Sequence, residues 1–194
     1  MSTLDDVELR ERLADLARTV VLDEVPDVEA YRWPARSMRA LQAAGLGGLT
    51  VPERYGGLGK GLAGLVIAGE ELGRISASTA ICFCMHAVGS AVLAAKATED
   101  QAARYLVPIA EGRHLTTLAL SEPGTGAHFY EPASALTREG DCYRVKGAKT
   151  FVTNGGHCDS YVITTMTEAG EAAPGLFNCL VLDEGTPGMR WEGT

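Results

Sequence analysis

The chain has 194 residues, of which 46% are apolar, and a formal net charge of −8. Those values suit one or two ordinary soluble globular domains that bury roughly 70% of the unfolded surface. Lys and Arg are scattered, so there is no basic stripe for a phosphate backbone, and nucleic acid is excluded as a partner.

The acidic, amphipathic N-terminus MSTLDDVELRERL lacks a signal-peptide apolar core, and the chain reads as cytoplasmic. Ser2 or Thr3 is expected to cap a first helix whose apolar face is Leu4, Val7, Leu13, Leu16 and Val20. Asp23 to Pro34 breaks that pattern, with Pro26 and Pro34 as punctuation. A second helix fits Ala35–Ala44, ended by Gly45. Leu46 to Gly59 is a glycine-rich connection without P-loop spacing. A third helix starts near Leu62 and carries Leu65, Val66, Ala68, Gly69 and Leu72. Glu53, Glu70 and Glu71 read as surface charges. The apolar stretch Thr79 to Ala95 is short for a bilayer span and is interrupted by His86, Gly89 and Ser90. A helix buried in a bundle explains it, with no membrane role. Thr98 and Gln101 form a capping box opening a fifth helix that runs to about Ala110.

At Leu115 the period changes to alternation. Strands are expected at Leu115–Ser121, Ser134–Arg138, Cys142–Lys146, Lys149–Val152, Tyr161–Met166 and Phe177–Asp183, with Thr167 to Pro174 as a loop. Helices first and strands second give an α+β organisation, divided into a helical domain (1–113) and a β domain (114–194). Gly188 to Thr194 reads as the middle of a strand, so the β domain is expected to be incomplete and the chain truncated. The five cysteines are odd in number and contain no CxxC, which favours buried, reduced thiols. The four histidines show no metal-ligand spacing, and no metal site is expected.

Two stretches carry the chemistry. In Leu115–His128, LTTLALSEPGTGAH, an apolar run stops at Ser121-Glu122-Pro123-Gly124-Thr125-Gly126. Pro123 lacks an N–H, and Gly124 and Gly126 permit positive φ and close approach. Free backbone N–H groups there, with the Ser121 and Thr125 hydroxyls, suit a polar ring edge or a phosphate. Taken alone, this is also an ordinary strand-to-loop turn. About one hairpin later comes Lys146-Gly147-Ala148-Lys149-Thr150-Phe151-Val152-Thr153-Asn154-Gly155-Gly156.

Together, in that order, the two stretches resemble the flavin signatures TEPGxGSD and NGxKxWITNG of the acyl-CoA dehydrogenase family. Val51 to Gly59 is similar to that family's PEEYGGLG segment, and Thr98-Glu99-Asp100-Gln101 with Tyr105-Leu106 to its GTEEQ…YL helix. The resemblance runs in register along almost the whole chain. It implies an N-terminal all-α helical bundle followed by a partial antiparallel β-barrel or sandwich of acyl-CoA dehydrogenase type. The family's C-terminal helical domain has no counterpart here.

The resemblance also implies FAD as cofactor and α,β-dehydrogenation of an acyl-CoA thioester. The flavin performs the redox step while the protein positions it. Leu118, Ala119, Leu120, Ser121, Glu122, Pro123, Gly124, Thr125, Gly126 and Ala127 would form the first cofactor-contacting stretch, and Phe151, Val152 and Thr153 the second. Ser121 keeps the hydroxyl of the family's threonine. Phe151 keeps aromatic cover of the ring without an indole N–H, and Thr153 would donate toward flavin N5. Ala127-His128 replaces the family's Ser-Asp, at positions near pyrophosphate and acyl-CoA. His128 would add positive charge there when protonated, or is a solvated histidine. The catalytic base, a glutamate of the absent C-terminal bundle, is not in this chain, and Glu122 reads as structural. Implied partners are acyl-CoA and an acceptor such as electron-transfer flavoprotein. A homotetramer, or a chain supplying the C-terminal domain, would complete the site. A same-fold flavin oxidase or monooxygenase, and a non-catalytic scaffold half that no longer holds FAD, are the alternative readings.

Overall fold

The computed structural model describes residues 4–168 and 175–192. Helix α1 (Asp6–Leu16) is capped by Asp5, whose Oδ1 accepts the Glu8 N–H (2.8 Å). The expected caps Ser2 and Thr3 lie outside the described residues. The helix does not stop before Pro26. It passes through a π-helical turn (Ala17–Val21) into α2 (Leu22–Glu29), with Pro26 inside. The buried stripe is Leu9, Leu13, Ala17 and Val21, while Val7 is 68% exposed. A strict four-residue step drifts around an α-helix of 3.6 residues per turn, and the wider π turn compensates.

Helix α3 (Ala35–Ala43) begins after Pro34, which supplies no side-chain cap. Buried Glu24 of α2 supplies one instead. Its carboxylate accepts the Arg36 N–H (2.8 Å), the Ser37 N–H (2.7 Å) and the Ser37 hydroxyl (2.5 Å). Burial alone would raise its pKa, but the Ser37 hydroxyl and the two amides outweigh burial and lower it.

Helix α4 (Gly61–Gly73) buries Gly64, Ile67, Ala68, Glu71 and Leu72, whereas the expected core residue Val66 faces solvent. Glu71 is therefore not a surface charge. Arg10 of α1 pairs with both Glu70 and Glu71 across the two helices. Helix α5 (Ala77–Lys96) is, among the described residues, the one helix long and apolar enough to cross a membrane. It packs against α4 and against the first strand, burying Phe83, His86, Ala87, Gly89 and Leu93. The Thr98–Gln101 capping box is present. It opens α6 (Glu99–Gln101), which runs through a second π turn (Ala102–Leu106) into α7 (Val107–Ala110).

The strands are β1 (Thr116–Ala119), β2 (Ala135–Glu139), β3 (Cys142–Lys146), β4 (Ser160–Thr167) and β5 (Phe177–Asp183). They form one mixed sheet rather than the expected antiparallel one. β1 and β2 pair with β4 in parallel, and β2–β3 and β4–β5 are antiparallel. β5 occupies one edge of β4 from Ser160 to Met166. β1 takes the other edge at Ser160–Ile163 and β2 takes that edge at Met166–Thr167. Strand β4 is thus flanked on both sides. Both faces of β4 are also covered, Tyr161 and Ile163 joining one core cluster, Val162 the other and Thr164 meeting Lys149, so its residues from Ser160 to Thr165 are buried without alternation. Order along the chain could not disclose this, because each parallel pair needs a long crossover. No closed barrel forms among the described residues.

The expected strand Lys149–Val152 is a loop, because Phe151 takes a left-handed φ of +51° that no ladder accommodates. Residues 188–192 are likewise turn and unpaired chain rather than strand, and Gly193 and Thr194 lie outside the described residues. The loop expected from Thr167 to Pro174 falls mostly outside them; Thr167 itself ends β4. All five cysteines are unpaired. Cys82 and Cys158 are buried, whereas Cys142 and Cys179 are exposed.

Bundle and sheet share one core. Leu9, Leu13, Met38, Leu72 and Phe83 are continuous with Ala119, Tyr161 and Ile163. At the junction, a Cβ on Gly89 would lie 2.9 Å from the Thr117 carbonyl carbon, so only glycine lets α5 approach β1 this closely. His86 crosses the same junction. Its Nδ1 accepts the Thr116 N–H (3.1 Å), which leaves Nε2–H to donate to the Gly47 carbonyl (3.0 Å). Burial drives its pKa down to about 4, so it holds this junction as a neutral ring.

Candidate functional site

Between β1 and β2 the chain leaves the sheet at Ala119 and returns at Ala135. This excursion contains the Ser121–His128 turn. Its root is fixed by one ion pair. Glu122, 6% exposed, accepts the Ala133 and Ser134 N–H groups (2.5 and 3.1 Å) and pairs with Lys149 (2.5 Å). Lys149 also donates to Thr164 Oγ1 (2.9 Å), at a position of β4 between its pairings with β1 and β2. Burial opposes the Glu122 charge, but the hydrogen bonds from Lys149 and Ser134 prevail and its pKa is lowered. With its carboxylate thus engaged, Glu122 closes the loop.

The tip of the turn is open. Gly124 and Gly126 take φ of +86° and +54°, and nothing lies within 4 Å of a Cβ built on either. The Thr125 N–H bonds weakly to the Glu122 carbonyl (3.4 Å) and the His128 N–H to the Thr125 carbonyl (3.0 Å). The N–H groups of Gly124, Gly126 and Ala127 have no intramolecular partner among the described residues. Beyond them His128, Phe129 and Tyr130 are exposed, with Tyr130 edge-on to both neighbours.

The second stretch lies alongside the first. The Thr150 N–H donates to the Ser121 carbonyl (2.8 Å), and Thr117 Oγ1 donates to the Thr153 carbonyl (2.8 Å). The two sequence motifs therefore converge, although only one of them ends a strand. Phe151 is 96% exposed, and Val152 and Thr153 are half-buried. Leu118 and Ala119 are buried in the two core clusters, so any contact from them to a ligand runs through the main chain. Leu120 and Thr125 are half-buried, and Ser121, Pro123 and Ala127 are exposed.

Three residues without an assigned role prove central to this geometry. Lys149 roots the first turn. Asn154 and Trp33 hold the second, the Trp33 indole N–H donating to Asn154 Oδ1 (2.9 Å). A lysine within Gly-Ala-Lys-Thr-Phe and an asparagine within Thr-Asn-Gly-Gly were signals of a kind, but their partners lie 15 to 121 positions away. A separate apolar groove of about 510 Å³ lies between α4 and α5, lined by Leu62, Leu65, Val88, Val92 and Ala95, and no motif residue lines it. Among the described residues no cluster of His, Cys, Asp and Glu could hold a metal ion.

Family models match this architecture in two consecutive parts. The acyl-CoA dehydrogenase N-terminal domain matches residues 3–113, and the acyl-CoA dehydrogenase middle domain matches residues 117–194. The chain belongs to the acyl-CoA dehydrogenase family. Members of this family are FAD-dependent oxidoreductases. An acyl-CoA dehydrogenase of Bacillus subtilis is 29% identical over 189 residues, 96% of this chain and 50% of the relative. Butyryl-CoA dehydrogenase from Megasphaera elsdenii superposes with a TM-score of 0.80 at 26% identity, over 95% of this chain and 50% of that one. A chain from the electron transferring flavoprotein of Acidaminococcus fermentans superposes with a TM-score of 0.87 at 28% identity, over 100% and 52%. This acyl-CoA dehydrogenase family chain spans about half the length of the relatives it matches.

The donor set fits a flavin dinucleotide. Three unpartnered backbone N–H groups suit pyrophosphate or ring carbonyl acceptors, the Ser121 hydroxyl is exposed, and Phe151 offers a bare aromatic face.

Proposed function

We propose that the chain is the FAD-holding half of an enzyme that dehydrogenates an acyl-CoA thioester between its α and β carbons. The carrying observation is the juxtaposition of the two motif turns through Thr150–Ser121 and Thr117–Thr153, with the first turn's N–H groups unspent. In this reading Ser121 and the amides of Gly124, Gly126 and Ala127 hold the polar ring edge and the phosphates. Phe151 covers the ring, and Thr153 donates toward it. Ala127 and His128 stand at the substrate side. Donors placed where negative charge develops favour reduction of the flavin. When bound, FAD supplies the acceptor for the hydride.

In this reading neither motif turn supplies the catalytic base. Glu122, the carboxylate nearest the turns in sequence, is committed to Lys149 and two backbone amides. The reading extends to a cytoplasmic enzyme divided into 1–113 and 114–194. It passes electrons to an acceptor such as electron-transfer flavoprotein and works as a homo-oligomer or with a chain that supplies the C-terminal helical domain. The family membership and the butyryl-CoA dehydrogenase likeness support an acyl-CoA substrate.

Titrating the purified chain with FAD tests the reading. Saturable quenching of flavin fluorescence is expected, with Thr153→Ala changing the visible absorbance of the bound flavin. No saturable binding by the chain overturns the proposal.

A further inference from the structure

The turn 151–157 adopts a shape that needs support. Phe151, Asn154 and Gly156 all have positive φ (+51°, +66° and +73°), and two of them are not glycine. Left-handed non-glycine positions are strained and persist only where the surroundings over-determine them. Here much of that support comes from the helical bundle. Trp33, in the connection before α3, donates to Asn154 Oδ1 (2.9 Å), and Asn154 Nδ2 donates to the Cys82 carbonyl of α5 (2.8 Å). The Trp33 ring also stacks on His157 at 4.6 Å and 9°. Trp191 also presses on Gly155, where a Cβ would come within 2.8 Å of the indole. Both tryptophans of the chain therefore grip one seven-residue turn.

An asparagine in the left-handed region ordinarily bonds its own neighbourhood. Asn154 instead is 4% exposed and spends both ends of its amide on the bundle, 121 and 72 positions away in sequence. Losing either partner would leave a buried polar group unpaired, the costly case.

We infer that Trp33 and Asn154 are positioning residues of the flavin site: through this pair of hydrogen bonds the bundle fixes where Phe151 and Thr153 stand before a cofactor arrives. The inference rests on the flavin reading above and adds to it residues that touch no ligand.

Two variants of the full chain test it. Trp33→Phe keeps an aromatic ring on His157 and removes only the N–H. Asn154→Gly keeps the left-handed backbone and removes both bonds. In Trp33→Phe, amide hydrogen exchange at 152–157 should rise about tenfold while β4 is unchanged. The dissociation constant for FAD should also rise about tenfold, and the visible band of bound flavin should shift. Trp33→Phe placed in the Asn154→Gly background should add nothing, because the acceptor is gone.

Unchanged exchange, or equal effects of Trp33→Phe in both backgrounds, overturns the clamp. Raised exchange with unchanged FAD affinity and spectrum overturns the positioning role alone. A wild-type chain that takes up no FAD overturns the flavin reading, and this inference with it.

Discussion

The two motif turns are neighbours but are held in opposite ways. The Ser121–His128 turn has an empty tip and a charged root: glycines with nothing around them, above the Glu122–Lys149 pair. Among the described residues, the 151–157 turn has no charged anchor. Neutral groups hold it: the Asn154 amide bonds to Trp33 and to the Cys82 carbonyl, and Trp191 packs on Gly155. A loop that must offer its own N–H groups to a ligand cannot spend them internally, so its rigidity is placed below it. A loop that offers side chains can be clamped directly.

Cutting the charged root should have the largest effect. Glu122→Ala strands the half-buried Lys149 and the Ala133 and Ser134 amides, the latter buried, which should cost about 3–5 kcal/mol in a urea unfolding curve. A loss below about 1 kcal/mol would mean the pair does not root the turn. Acid sharpens the contrast between the turns. The Glu122 pKa is lowered from an ordinary 4.5 by Lys149 and its amide donors. Its stabilisation is therefore fully present above about pH 4.5 and is lost as pH falls through the lower folded value. Glu24, also lowered, adds in the same sense at the start of α3. Urea midpoints should fall below pH 4.5 in the wild type and fall less steeply in Glu122→Gln. Equal slopes would remove Glu122 from the acid response. The smallest effect belongs to the tip. Gly124→Ala meets no atom but forces alanine to a φ of +86°, which should cost about 1 kcal/mol and weaken FAD binding.

Much of this was legible locally. The Thr98–Gln101 box, the edges of β3 and β5, and the order of helices then strands follow from neighbours in sequence. The motif residues were readable too, and the structure brings both stretches together. What escaped was set by distant partners. Lys149–Val152 alternates like a strand, yet Lys149 is drawn to Glu122 and Thr164 and the chain turns left-handed at Phe151. Pro26 looked like a helix stop, but a π turn precedes it and the helix runs on to Glu29. Glu24 as a cap for α3, Glu71 as a buried partner of Arg10, and parallel pairing around β4 all depend on contacts that no local window contains.

Because β1 and β2 occupy successive stations on the same side of β4, everything between them is a detour that the ladder never sees. Lengthening such a detour is cheap: doubling a flexible loop adds only about 0.6 kcal/mol of closure entropy. His128, Phe129 and Tyr130 ride on that detour, downstream of the glycine tip. Evolution, or an engineer, can therefore rewrite the surface beside the glycine tip by splicing there while every strand register stays put.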